Sequence, residues 1–90
     1  MNYQLDLSDT ATKEVKAFKK SGNKALLKKI NRLLIEIIDN PCIGTGKPEQ
    51  LKHEFSGCWS RRINKEHRIV YEIFESKNKV VVLSLKGHSL

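Results

Sequence analysis

The sequence predicts an α+β fold with the element order β-α-α-β-β-β-β, in which two N-terminal helices pack on one face of a twisted, mainly antiparallel sheet. Three observations predict it. Apolar residues recur at helical spacing in two consecutive segments of the first half. The second half carries short apolar or alternating stretches that are typical of strands. The connections between these stretches are short, which favours antiparallel pairing of neighbours.

The first half of the chain supplies a strand and two helices. Residues Tyr3 to Leu7 alternate between apolar and polar and predict a short, half-buried strand. A helix follows, capped at residue 8 or 9, and ends at Ser21-Gly22. A second helix runs from Asn23 to Asp39 and stops at Asn40-Pro41, because the residue before proline resists helical geometry. Its apolar stripe predicts a core face: Leu26, Leu27, Ile30, Leu33, Leu34, Ile37 and Ile38.

The second half supplies a loop and four strands. The Gly- and Pro-containing segment from Cys42 to Glu49 predicts a loop that lacks the spacing of a phosphate-binding P-loop. Short turns at Asn64-Lys65-Glu66 and Ser76-Lys77-Asn78 favour antiparallel neighbours. Trp59 and Tyr71 share the same parity and are expected in the core. The predicted strands are Leu51 to Glu54, Gly57 to Ile63, His67 to Phe74 and Lys79 to Leu85.

Length, charge and cysteine content restrict the classes of function. The 90 residues are expected to form a single domain, residues 1–90. A net charge of +7 favours a polyanion or an acidic protein as partner. No export signal or membrane-spanning run is visible, and 2 cysteines are too few for a disulfide framework. We therefore expect a cytoplasmic protein with no membrane association, metal or cofactor, which argues against a secreted ribonuclease.

The strand register predicts where charged residues meet. If the first turn is centred on Lys65, Arg62 faces Arg68 across the hairpin. Directly opposed like charges destabilise a strand pair by roughly tenths of a kcal/mol, unless the pair clamps an anion. If the second turn is centred on Lys77, Lys86 also faces Arg68 and His88 has the same parity. Arg61 then points to the opposite face, so we leave it out of the predicted site.

These residue types suit cleavage of an RNA phosphodiester. RNA supplies its own nucleophile, the 2′-hydroxyl, so the protein needs a base, an acid and cations for the phosphoryl oxygens. Glu49 is the candidate base and His88 the candidate acid, because a histidine exists in both protonation states near neutrality. The candidate cations are Lys52, Arg62 and Arg68.

Two long motifs carry a resemblance to a known family. The run from Gly44 to His53 reads GTGKPEQLKH and resembles the GxGKPExLKH signature of the YoeB toxin family, which belongs to the RelE superfamily. The run from Ser56 to Tyr71 resembles the SGxWSRRIxxEHRxVY signature of the same family. The resemblance spans essentially the whole chain.

The resemblance implies a RelE-like fold and the toxin role in a type II toxin–antitoxin module. It implies ribosome-dependent cleavage of mRNA in the A site, with Glu49, Arg68 and His88 catalytic and Lys52 and Arg62 binding phosphate. His53 either approaches the RNA or caps the short strand, and His67 is expected to be structural. The implied partners are the ribosome with its mRNA and a YefM-like antitoxin with an acidic, disordered C-terminal segment. Operator DNA is contacted only through the antitoxin complex, and a homodimer is allowed.

One departure keeps an alternative open. Family members commonly end in His-Tyr, whereas His88 is followed here by Ser89-Leu90. Base stacking on an aromatic residue contributes about 1–3 kcal/mol, so loss of that tyrosine affects RNA positioning. The alternative is a non-cleaving inhibitor that binds RNA or the ribosome, or a component of the antitoxin complex.

Overall fold

A computed structural model describes residues 2–87 and contains the predicted order of elements. The helices are α1 (Asp9–Ser21) and α2 (Lys24–Asp39). The strands are β1 (Gln4–Leu7), β2 (Glu49–Gln50), β3 (Cys58–Arg62), β4 (Arg68–Phe74) and β5 (Lys79–Ser84). They form one sheet in the order β1-β5-β4-β3-β2, with β1 parallel to β5 and every other pair antiparallel. The predicted α+β architecture is confirmed.

Local capping explains where the two helices begin and end. The Ser8 hydroxyl accepts a hydrogen bond from the Ala11 N–H at 3.0 Å and so starts α1. Gly22 closes α1 in a left-handed conformation, with φ of 75°. The Asn23 side chain accepts from the Leu26 N–H at 3.1 Å and starts α2 only two residues after α1 ends. The tight connection forces the helices to lie side by side.

The core lies between the helices and one face of the sheet. Both helices contribute buried residues, and β4 and β5 contribute others, including Tyr71, as the parity of the strands predicts; Ile63 and Leu85, just after β3 and β5, complete the core. Trp59 pairs with Tyr71 and packs against this core, as predicted. No helix within residues 2–87 combines the length and the apolar character needed to cross a membrane. Because the helices cover one face of the sheet, charged side chains can gather on the opposite face.

The predicted strand from Leu51 to Glu54 is wrong. The ladder partner of β3 is instead β2, which pairs Glu49 with Ser60 and Gln50 with Trp59. One further ladder bond joins the Leu51 N–H to the Cys58 carbonyl at 2.9 Å. The chain then turns into a 3-10 segment, His53–Phe55, because His53 adopts a φ of 61°, which no strand accommodates.

The predicted register of the second hairpin is wrong next to the turn and correct beyond it, where Val70 faces Ser84 as a turn centred on Lys77 requires. Phe74 pairs with Lys79, so the turn is not centred on Lys77. A bulge then leaves Leu83 unpaired, because Tyr71 faces Val82 whereas Val70 faces Ser84. The bulge is held from outside the sheet: the Ser8 hydroxyl donates to the Leu83 carbonyl at 2.8 Å, and the Leu85 N–H donates to the Glu14 carboxylate at 2.7 Å. These partners come from the start of α1, far away in the sequence.

Candidate active site

The hairpin of β3 and β4 places two arginines opposite each other. Arg62 pairs directly with Arg68, which confirms the predicted register. The turn is fixed by Asn64, whose side-chain oxygen accepts from the Glu66 and His67 N–H groups, each at 2.8 Å. Two guanidinium groups therefore share the sheet face that points away from the helices.

Glu49 reaches the same face from β2. It pairs with Ser60, which shares its parity with Arg62 and Arg68. The Glu49 carboxylate lies 3.8 Å from Arg68 Nη1, and the two side chains are 68% and 31% exposed. Arg68 Nη1 also donates to the Ser60 hydroxyl at 3.4 Å. A carboxylate and two guanidinium groups thus meet at a surface that solvent and a substrate can reach.

Lys52 and His53 lie in the segment that follows β2. Both are exposed, and neither side chain forms a hydrogen bond or ion pair within residues 2–87. In this part of the chain, neither side chain is joined to Glu49 or Arg68 by a hydrogen bond or an ion pair. The predicted cap of a short strand by His53 does not arise, since the strand itself is absent there.

His88, the candidate acid, lies outside the described residues, but the backbone just before it is firmly held. The Gly87 N–H donates to His67 Nδ1 at 2.9 Å, and the Arg68 N–H donates to the Gly87 carbonyl at 3.3 Å. The His67 ring also packs against Phe18, with centroids 5.2 Å apart. The His67 ring therefore holds the backbone at Gly87. His67 therefore has the structural contacts predicted for it.

Sequence reasoning missed the part played by Arg61. As predicted, it points away from Arg62; it is 0% exposed and makes a contact with each of its five N–H donors. Nε donates to the Tyr71 hydroxyl at 3.2 Å, and Nη1 donates to the Glu36 carboxylate at 3.3 Å. The remaining donors bind backbone carbonyls of the loop that precedes β2: Asn40 at 2.7 Å, Ile43 at 2.8 Å and Thr45 at 3.4 Å. Arg61 therefore anchors the loop that leads to Glu49.

The pKa values of two side chains that contact Arg61 are shifted in opposite directions. The Thr45 N–H donates to the Glu36 carboxylate at 2.8 Å, and this bond, with the nearby charge of Arg61, holds the pKa of Glu36 below its usual range. Burial raises the pKa of Tyr71, although its bond from Arg61 acts against the rise. The Tyr71 hydroxyl donates to the Pro41 carbonyl at 2.5 Å and so ties the start of the same loop to β4.

The shift at Glu36 predicts how its contribution depends on pH. Since the folded-state pKa lies below the usual 4.5, the carboxylate stabilises the fold above that pH and loses its effect as the pH falls further. Replacing Glu36 by glutamine should lower the free energy of unfolding at neutral pH by less than about 1 kcal/mol, because the side chain is 29% exposed. The difference should shrink below pH 4.5 in urea titrations; a constant difference would contradict the assignment.

Gly46 allows the loop to lie directly against β3. The Arg62 N–H donates to the Gly46 carbonyl at 2.8 Å, and Gly46 has a φ of 87°. A Cβ added there would come within 2.7 Å of the Arg62 carbonyl and 3.3 Å of the Arg61 Cβ. Only glycine fits this approach, and the approach fixes the position from which the chain enters β2.

Replacing Gly46 by alanine should therefore destabilise the protein more than a positive φ alone explains. Gly22 is the matched control, since its φ is 75° and nothing lies within 4 Å of an added Cβ. Gly22→Ala should cost about 1–2 kcal/mol for the left-handed conformation. Gly46→Ala should cost at least about 1 kcal/mol more, because backbone atoms must move. Equal losses in urea-unfolding experiments would show that the loop yields easily.

The two thiols do not have the features of a reactive centre. Cys42 is exposed and Cys58 is buried, and both are free. Desolvation raises the pKa of both thiols, which disfavours the reactive thiolate. Within residues 2–87, no three His, Cys, Asp or Glu side chains are grouped as metal ligands would be. The group formed by Glu49, Arg62 and Arg68 is the candidate site.

Comparison with known proteins places the chain in a family. Residues 8–89 match the family model described as the YoeB-like toxin of bacterial type II toxin–antitoxin systems. The chain is 48% identical over 67 residues to a toxin YoeB from Synechocystis, and the match covers 74% of this chain and 76% of that toxin.

Solved structures agree with the sequence match. The YoeB dimer from Staphylococcus aureus superposes with a TM-score of 0.85 at 39% identity, and covers 99% of this chain and 100% of that one. The YoeB-YefM complex from the same organism gives a TM-score of 0.83 at 40% identity, with the same coverage. The chain belongs to the YoeB-like toxins of bacterial type II toxin–antitoxin systems.

Proposed function

We propose that this toxin is a ribosome-dependent endoribonuclease that cuts mRNA in the ribosomal A site and thereby inhibits translation. The observation that carries the proposal is the placement of the Glu49 carboxylate 3.8 Å from Arg68, beside Arg62, on one exposed sheet face. These are the groups that an RNA phosphodiester needs in order to react with its own 2′-hydroxyl.

The proposed reaction is a transesterification. Glu49 accepts the proton of the 2′-hydroxyl, and the oxygen attacks the adjacent phosphorus. Arg62 and Arg68 balance the charge that develops on the phosphoryl oxygens, with Lys52 as a further cation. The bond to the 5′-oxygen breaks, and His88 donates the proton that the leaving oxygen needs. The products are a 2′,3′-cyclic phosphate and a 5′-hydroxyl, so the reaction needs no metal-bound water.

The exposure of the site supports the proposed dependence on the ribosome. A ribonuclease that acts on free RNA must hold the 2′-oxygen, the phosphorus and the leaving oxygen in line by itself. Glu49 is 68% exposed and Arg62 is exposed as well, so the described part of the site does not enclose a substrate. We propose that the ribosome supplies the missing constraint by holding the mRNA strand against this face.

The main alternative is a toxin that binds the A site without cutting. A passive RNA-binding surface needs cations, but it does not need a carboxylate among them, because Glu49 repels the phosphate that Arg62 and Arg68 attract. The pairing of Glu49 with Arg68 therefore favours catalysis over simple binding.

The proposed partners follow from charge and from the relatives. A net charge of +7 suits both ribosomal RNA and an acidic protein segment. The relative from Staphylococcus aureus is solved as a complex with YefM and also as a dimer. We propose a YefM-like antitoxin whose acidic C-terminal segment covers the basic surface, operator DNA contacted only through that complex, and a homodimer as the form without antitoxin. The proposed compartment is the cytoplasm, where ribosomes and mRNA are found.

Primer extension on a reporter mRNA in a purified translation system tests this function. Wild-type toxin should produce cuts at A-site codons only when ribosomes are present, and Glu49→Ala should produce none. Stalled ribosomes without cuts in the wild type would favour the binding-only alternative. Cuts of equal strength without ribosomes would contradict the proposed ribosome dependence.

A further inference from the structure

A basic concavity lies next to the candidate active site. It has a volume of about 350 Å³ and is bordered by side chains from α2, from the loop before β2 and from the end of β3 with its turn. Its cationic residues are Lys29, Lys47, Arg62 and Lys65, and its lining includes neither Asp nor Glu. Such a group of like charges is stabilised by a bound anion.

Three of these cations have no counter-charge. Within residues 2–87, the side chains of Lys29, Lys47 and Arg62 make no hydrogen bond or ion pair. Lys79, which lies outside the concavity, is instead 2.6 Å from the Asp6 carboxylate. The concavity therefore gathers charge that the protein itself does not neutralise.

The backbone holds these cations close together. The Gly46 carbonyl accepts from the Arg62 N–H at 2.8 Å, at a contact too close for any side chain on Gly46. The next residue, Lys47, adopts a left-handed conformation with φ of 51°, which a lysine rarely adopts. The fold thus accepts strain at Lys47 in the place that sets it beside Arg62. Lys29 is only partly exposed, so its stem is packed against the protein.

The lining also indicates which part of a nucleic acid would bind. No aromatic side chain borders the concavity, so it offers no platform on which a base could stack. Arg62 belongs both to this concavity and to the face that holds Glu49 and Arg68. A strand whose scissile phosphate lies between Arg62 and Arg68 would place a neighbouring phosphate within reach of Lys29 and Lys47.

We propose that the concavity formed by Lys29, Lys47 and Arg62 is a second phosphate subsite, which binds the RNA backbone next to the phosphodiester that is cut. This inference rests on the proposed function, because it assigns the adjacent face to the scissile phosphate. The contact is with phosphate alone, so it adds affinity and orientation without sequence preference.

Salt-dependent binding tests the subsite without any cleavage. The probe is a short, fluorescent 2′-O-methyl RNA, which lacks the nucleophile, and binding is followed by anisotropy over a range of salt concentrations. Each phosphate contact with a single strand contributes about 0.7 to the slope of log affinity against log salt. Lys29→Gln/Lys47→Gln should therefore lower the slope by about 0.7, for the one phosphate of the subsite, and weaken binding roughly fivefold at 0.1 M salt. The control Lys13→Gln/Lys77→Gln removes the same charge from outside the concavity and should change the slope much less.

The outcomes distinguish the substrate strand from ribosomal RNA as the source of the phosphate, and one of them overturns the proposal. A reduced slope with the oligonucleotide supports a subsite for the substrate strand. A reduction seen only with ribosomes that carry no mRNA supports the phosphate site and assigns its ligand to ribosomal RNA. The proposal is overturned if Lys29→Gln/Lys47→Gln gives the same slopes as the control double variant, both with the oligonucleotide and with ribosomes that carry no mRNA. Because neither readout needs cleavage, failure here is distinct from failure of the nuclease activity in primer extension.

Discussion

Replacing Glu49 by glutamine should lower the rate of mRNA cleavage on the ribosome by about 10²–10⁴-fold. Glutamine keeps the size of the side chain and an oxygen that can accept a hydrogen bond, but it cannot take the 2′-hydroxyl proton. Stability should barely change, because the ion pair between Glu49 and Arg68 spans 3.8 Å and is largely exposed. Single-turnover cleavage of mRNA in programmed ribosomes gives the cleavage rate, and ribosome binding measured in parallel shows whether the variant still binds.

Glu54 provides the matched control for this variant. It is an exposed carboxylate in the 3-10 segment that follows β2, and its side chain forms no hydrogen bond or ion pair within the described residues. Glu54→Gln changes the net charge by the same amount and should cleave at close to the wild-type rate. If Glu49→Gln raised KM and left kcat unchanged, Glu49 would be a binding residue. A rate within tenfold of the wild type would remove it from the role of base.

The parts of the site that the sequence predicts depend on local patterns. The opposition of Arg62 and Arg68 depends only on strand alternation and on a turn whose length is visible in the sequence. The core positions of Trp59 and Tyr71 follow from the same parity. Short-range rules were sufficient because each of these residues is placed by its neighbours in the chain.

The parts that the sequence does not predict depend on distant contacts. Next to the second turn, Phe74 faces Lys79, which is offset from the predicted register, and a bulge at Leu83, held by Ser8 and Glu14, restores that register. The predicted strand from Leu51 to Glu54 does not form, because His53 has a φ of 61° and the chain turns into a 3-10 segment there. Neither the contacts of Ser8 and Glu14 nor the φ of His53 can be inferred from the alternation of apolar and polar residues in the strands.

The buried position of Arg61, with a partner for each donor, could have been predicted from the sequence. Strand parity already pointed it into the core, and a guanidinium there must find a partner for every donor. The glycines at 44 and 46 were a second signal, because a chain that winds closely around a buried side chain leaves no room for Cβ atoms. A Cβ on Gly44 would lie 2.6 Å from the Glu36 carboxylate and 2.7 Å from Arg61 Nη1. Together they indicate a loop folded around an arginine.

Replacing Arg61 by methionine should lower the free energy of unfolding by at least about 3 kcal/mol, a large part of the ~5–15 kcal/mol typical of a domain. Two effects compete at this position. Replacing a buried ion pair by apolar residues is often neutral, because the charges no longer have to be desolvated. Here, however, three of the five partners are carbonyls of Asn40, Ile43 and Thr45, which remain after the substitution. These bonds are partly buried, and a carbonyl left there without a donor costs about 1–3 kcal/mol, so the loss should dominate.

The loop could escape that cost only by opening to water, and that escape is itself measurable. Opening would break the bond from the Thr45 N–H to Glu36, so its hydrogen exchange should accelerate in Arg61→Met under conditions where the core stays protected. Arg61→Lys keeps the charge but has fewer donors, so its stability should lie between those of the wild type and the methionine variant. Because the same loop leads into β2, folded Arg61→Met should also cleave more slowly, although Arg61 faces away from the substrate. Wild-type stability and exchange in Arg61→Met would mean that the loop is held by Tyr71 and Gly46 without it.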